Sequence, residues 1–186
     1  MTFDELLYRI RPSVPGAADP MIRQQLVLGA RQFCRESHYW VEQVAAVYPY
    51  EGQRYYQLQL PEDAEVLALA SATQKDEPVR ATVNFLGALE LDYLPKEDDG
   101  QIEIRLVLQP VKSADSLPDR IGQDYGQALV SYALSQLLIQ PKKEYTDREL
   151  AGFHRAEFNT TVDEARYRRQ IGNSEQPRRV APVRFV

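Results

Sequence analysis

The side chains that could do chemistry are few, and their spacing does not suit catalysis. His38 and His154, the two histidines, lack the short spacing that brings zinc ligands onto one face. Both read as ordinary helix residues. Cys34, the one cysteine, has no internal disulfide partner and falls on the apolar side of a helical segment. A small core hydrophobe is expected there rather than a nucleophile. Two acid clusters remain: Glu97, Asp98 and Asp99 in one, Glu62, Asp63 and Glu65 in the other. Carboxylates that hold a catalytic divalent ion sit on rigid, partly buried elements, whereas KEDDG at 96–100 reads as a solvated hairpin tip. No GxSxG, P-loop, HExxH or GxGxxG occurs. The expectation is a protein that is not an enzyme and takes no cofactor or metal. A metal-dependent hydrolase using the acid clusters is the alternative from another class.

The basic residues say more. A net charge of −5 argues against general affinity for nucleic acid. Yet from Arg166 onward there are six arginines (Arg166, Arg168, Arg169, Arg178, Arg179 and Arg184) against one acid, Glu175. In RRVAPVRFV the arginines are interleaved with Val180, Val183, Phe185 and Val186, and Pro182 pre-extends the chain. Such a peptide can add a strand to a neighbour's sheet or lie in a groove, with Phe185 as anchor and Arg178 and Arg179 on carboxylates. It reads as a docking tail for an acidic partner. Sparse lysine and little aromatic interleaving weigh against a nucleic-acid tail. A softer signal is aromatic: Trp40 ends a helix, and Tyr48, Tyr50, Tyr55 and Tyr56 follow closely. Rings with wet hydroxyls suit an interface, although Trp40 is better placed between helices and strands.

The elements that must carry these residues change period twice. Phe3, Leu6, Leu7 and Ile10 have helical spacing over 3–11, behind Thr2 as a cap. Ile22, Leu26, Ala30, Phe33 and Ser37 form one stripe from Asp19 to about His38, with Cys34 alongside. YYQLQL at 55–60 and IEIRLVL at 102–108 alternate as strands do, and 65–71, ATVNF and LELDYL add others. An antiparallel β region is therefore expected at about 41–112. Helical spacing returns with Ile121, Tyr125, Leu129, Tyr132, Gln136 and Leu137, on a helix ending near Gln140 in which Gly122, Gly126, Ala128 and Ala133 admit close neighbours. Pro141 stops it. Thr146 and Glu149 have capping-box spacing, and Leu150, Phe153, His154, Phe158, Thr161, Val162 and Ala165 form the next inward stripe, closed by Gly172. The fold expected is mainly α: a bundle of about four helices with a β insertion as one domain over 1–172, then an extended arm over 173–186. The start MTFDELLYRIRP lacks the pattern of a signal peptide, and no apolar run approaches the ~20 residues of a membrane helix. Synthesis in the cytoplasm is the expectation.

Three stretches carry a resemblance: DPMIRQQLVLGARQFCRESHYW, LPEDAEVLALASATQKDEPV, and the closing half from IEIRLVLQPV through LPDRIGQDYGQALVSYALSQLLIQPKKEYTDRELAGFHRAEF to EARYRR. The order of pieces resembles the tailed-bacteriophage head-to-tail connector, or adaptor, proteins: a helix ending in an aromatic, a strand and turn, then a helix rich in small residues and a long final helix. The resemblance implies a virion neck protein, forming a dodecameric ring beneath the portal protein. Tail components (tube, nozzle or completion protein) would meet its far face, and genomic DNA would pass through the lumen without specific binding. It implies that Arg178–Val186 dock on the portal. Subunit contacts would draw on Trp40, Tyr48, Tyr50, Tyr55, Tyr56, Arg166, Arg168 and Arg169, with Asp147 and Arg148 near the subunit boundary or the lumen. A tail-completion or terminator protein is the nearest alternative. A DNA-binding regulator built on the helix hinge fits less well, because Arg148 and Arg155 share their helix with Glu149, Glu157 and Glu164.

Overall fold

The first helix, α1 (Phe3–Ile10), starts where the backbone N–H and hydroxyl of Thr2 both donate to the Glu5 carboxylate. Its buried residues are Phe3, Leu6, Leu7 and Ile10. A 3-10 turn (Arg11–Ser13) containing Pro12 ends it. This computed structural model describes residues 1–95 and 100–171.

Helix α2 (Asp19–Ser37) buries Ile22, Leu26, Ala30, Phe33, Cys34 and Ser37, the stripe its spacing predicts. Its exit is built locally. Ser37 donates its hydroxyl back to the Phe33 carbonyl and accepts the Tyr39 N–H, while His38 takes a left-handed conformation (φ 52°) and donates its N–H to Cys34. That reversal launches β1 (Val41–Val47) directly from the helix.

Six further strands follow: β2 (Tyr55–Gln57), β3 (Ala64–Gln74), β4 (Glu77–Pro78), β5 (Ala81–Val83), β6 (Ala88–Leu91) and β7 (Ile102–Pro110). They form two antiparallel sheets, ordered β1-β7-β3-β4 and β2-β6-β5. The chain from 77 to 83 serves both. Its first part pairs with β3, its second with β6, so one bending strand turns the corner between the sheets. β7 is central. Ile102, Ile104, Leu106 and Leu108 are fully buried on its inner face, and Glu103 and Arg105 project outward. Toward its end Val107 and Gln109 are buried too, because α2 lies over that half.

Helix α3 (Asp119–Leu138) is enclosed by α1, α2 and α4 (Arg148–Gln170), and is buried on nearly every side. Its glycines admit neighbours closely. Gly122 and Gly126 face Met1 and Leu6, and on α2 Gly29 faces the Tyr132 ring. The α3–α4 turn is closed by Thr146, whose hydroxyl donates toward the Gln140 and Lys143 carbonyls. The cap of α4 is Asp147, accepting from Leu150 N–H at 3.0 Å. The expected Thr146–Glu149 capping box is not formed: Asp147 caps alone, because the Thr146 hydroxyl is taken up by the turn. The buried line of α4 is Ala151, Phe158, Val162 and Ala165, while Leu150 and Phe153 face outward. The expected stripe was rotated toward them.

The expectation of a mainly α fold is overturned. The described residues are 44% helical and 25% strand, in two antiparallel sheets, a mixed α/β fold. The strands are not an appendage, since a single apolar cluster runs from Phe3 and Phe33 through Trp40 and Val66 to Leu89 and Ile104. A sheet that shares the helices' core is half of the fold.

Candidate docking surface

The last turn of α4 brings Arg166, Arg168 and Arg169 over the point where α2 hands the chain to β1. Arg166 donates to the Glu36 carbonyl at 2.9 Å, filling an acceptor left open at the α2 C-terminus, and pairs with Asp163 at 3.0 Å. Arg168 and Arg169 turn instead toward a cleft. Its other lining residues are Tyr39, Val41 and Gln43 from the start of β1, Arg105 from the outer face of β7, and Arg120 from the first turn of α3. Four arginines from three distant parts of the chain converge there.

Among the described residues none of these four has a carboxylate within ion-pair distance, whereas Arg11, Arg23, Arg31, Arg54 and Arg166 each do. Arg120 lies over the Tyr39 ring, 5.4 Å from its centroid. Tyr39 in turn packs edge-on against Tyr125, with centroids 4.7 Å apart. The Tyr125 hydroxyl is buried and makes no hydrogen bond of normal geometry. Burial first, and then the neighbouring Tyr39 hydroxyl, push its pKa up to about 12, against a lowering contribution from Arg168. His38, at the cleft's edge, is held below its ordinary pKa by burial and then by Arg169 and Arg166.

The tyrosines gather at the opposite end of β1, about 20 Å away at ~3.3 Å per residue. Tyr48 and Tyr50 are exposed in the loop that follows it; Tyr55 is exposed on β2 and Tyr56 is half-buried. Leu94 is exposed in the adjoining loop, which Gly52 N–H joins by donating to the Pro95 carbonyl. The Tyr56 hydroxyl accepts from Tyr50 N–H and donates to the Gln53 carbonyl, fixing the tip. Trp40 is elsewhere: 6% exposed, within the core, its indole N–H donating to Glu42 at 2.7 Å.

The sequence singles out Arg166, Arg168 and Arg169 but misses Arg105 and Arg120, which join them only through the fold. Arg178, Arg179, Val180, Pro182, Val183, Arg184, Phe185 and Val186 lie outside the described residues, as do Gly172 and the acids Glu97, Asp98 and Asp99. The other acid cluster is dispersed. Glu65 pairs with Arg31, Asp63 accepts the Asp115 N–H, and no group of three metal-ligating side chains is assembled among the described residues. Nor is any described helix long and apolar enough to cross a membrane. No known family model matches the chain, and no curated protein matches its sequence.

Proposed function

We propose that this chain is a structural virion protein, a head-to-tail adaptor that assembles as a ring under the portal and joins the DNA-filled capsid to the tail. The observation that carries the reading is where α4 ends. A 23-residue helix ends beside the converging arginines, the basic terminal segment follows it in sequence, and the exposed tyrosines Tyr48, Tyr50 and Tyr55 stand at the far end of β1. One end offers charge to a portal, and the other offers rings to a tail component. A cyclic ring needs two different patches on each protomer. Exposed Ile139, Leu150 and Phe153 around the α3–α4 turn supply apolar surface of the kind such a contact buries.

The test is capture on the portal protein encoded alongside it, comparing the full chain with one ending at Gly172 and with Arg178→Glu/Arg179→Glu. Capture by the full chain, lost in both variants, is the expected result. Failure of the full chain on the portal combined with binding to a tail tube would give the completion-protein reading instead.

A further inference from the structure

Among the described residues no carboxylate neutralises the four-arginine cleft. Arg105, Arg120, Arg168 and Arg169 are exposed, converge from β7, α3 and α4, and lack carboxylate partners among the described residues. Guanidinium groups placed side by side repel one another, and stability alone would favour pairing or separating them. Arg120 lies over the Tyr39 ring, and Tyr39 packs edge-on against Tyr125, so the cleft rests on a rigid aromatic pair. Together these groups concentrate unneutralised positive charge in one cleft.

We infer that it receives carboxylate side chains of a partner protein, as a second basic contact alongside the terminal arm. Three observations favour carboxylates over a nucleic-acid backbone. Before Arg166 the chain has 16 basic residues against 26 acidic, so a long polyphosphate would meet repulsion on either side of the cleft. Acids also sit at its margins: Asp124 reaches the Tyr39 hydroxyl at 3.5 Å, and Asp163 holds Arg166. They set negative charge beside the arginines, against any long polyanion. Finally, α4 ends beside the cleft, so Arg168 and Arg169 continue into the segment bearing Arg178, Arg179 and Arg184. A partner acidic enough for one is complementary to the other, and forked guanidinium donors match carboxylates two bonds at a time. The partner's identity as the portal rests on the adaptor reading; the cleft's chemistry does not.

The probes are a fluorescent oligoglutamate of three residues and a single-stranded oligonucleotide of matched charge, titrated into the full chain at low salt. Arg105→Gln/Arg120→Gln tests the cleft without touching the arm, and Arg9→Gln, exposed on α1 and outside the cleft, is the control. Circular dichroism and a melting curve confirm that each variant is folded. The inference expects oligoglutamate to bind, to weaken at least tenfold in the cleft variant, and to be unchanged in the control. Oligoglutamate binding that ignores the cleft variant, or its absence, overturns the inference. So does an oligonucleotide that binds more tightly with the same Arg105/Arg120 dependence, which would assign the cleft to nucleic acid. Portal capture separates the two readings. Wild type failing on the portal removes the adaptor and leaves the oligoglutamate result standing; wild type and cleft variant captured equally removes the cleft from docking alone.

Discussion

Arg31 on α2 and Glu65 at the head of β3 form an ion pair at 2.6 Å, with the Arg31 side chain only 8% exposed. Gln109 donates to the same carboxylate at 2.6 Å and accepts from Arg35 at 3.0 Å, and Arg31 also donates to the Pro110 carbonyl. One network thus clamps helix, β3 and β7 together. Glu65→Ala strands a buried cation and is expected to cost about 3 kcal/mol, a melting-temperature drop of roughly 6–12 °C. Arg31→Met leaves a carboxylate that water can reach and should cost less. The double variant Arg31→Met/Glu65→Ala should recover much of the loss. Additive losses in a denaturation cycle would show that the pair is not coupled.

Two glycines should respond to alanine in opposite directions. At Gly29 an added Cβ would lie 2.8 Å from the Tyr132 ring, whose own Cβ is 3.2 Å away, so the ring cannot swing aside. Gly29→Ala is expected to destabilise in spite of the better helix former. Gly152 is exposed on α4 with nothing within 4 Å of such a Cβ. Gly152→Ala should stabilise by about 0.5–1 kcal/mol. Urea midpoints decide both, and a stabilised Gly29→Ala would refute the close approach of α2 and α3.

His38 should make the protein acid-sensitive. Its folded pKa is depressed, chiefly by burial and then by Arg169 and Arg166. The unfolded chain therefore takes the proton first, and the contribution is complete above pH about 6.5 and lost as pH falls below it. His38→Asn suits the left-handed φ of 52° and cannot titrate. The fall in melting temperature between pH 7.5 and pH 5 should be smaller in this variant. Equal falls would sink the assignment.

Cys34 should be inert while the protein is folded. Burial pushes the thiol pKa up to about 12, against a smaller opposing effect from Arg31. The thiolate fraction is then roughly 1,000-fold below that of an ordinary cysteine, before steric exclusion is counted. Iodoacetamide at pH 8 should label it at the rate of unfolding, and promptly in urea. Rapid labelling of the native protein would contradict its placement.

Where a single period ran unbroken, the sequence was readable. The α2 stripe and the inner face of β7 each lie where spacing alone puts them. β3 was harder for a physical reason. Against β7 its register slips between Val66 and Ala68 and again between Leu69 and Ser71. Each bulge reverses which residues face inward, so LALAS carries no clean alternation. β1 has a further irregularity between Val44 and Val47, and its VEQVAAV is too rich in alanine to announce a strand. The α4 stripe misled because Leu150 and Phe153 are large and apolar yet exposed, which spacing cannot distinguish from a core face. The arginine cleft was out of reach: Arg105 is a routine outward residue of a strand, and only topology brings it to Arg120 and Arg169.

The central position of β7 also bears on how the chain is made. β1 and β3 each pair with β7 and not with one another, so apart from the short β3–β4 hairpin neither finds its long-range partner until residues 102–110 have left the ribosome. Until then β1 and most of β3 lack their pairing strand, in the kind of non-local topology that folds slowly and invites mispairing. Between synthesis of Val41 and of Pro110 a nascent chain of this design carries unpaired strand edges of the kind that chaperones shield.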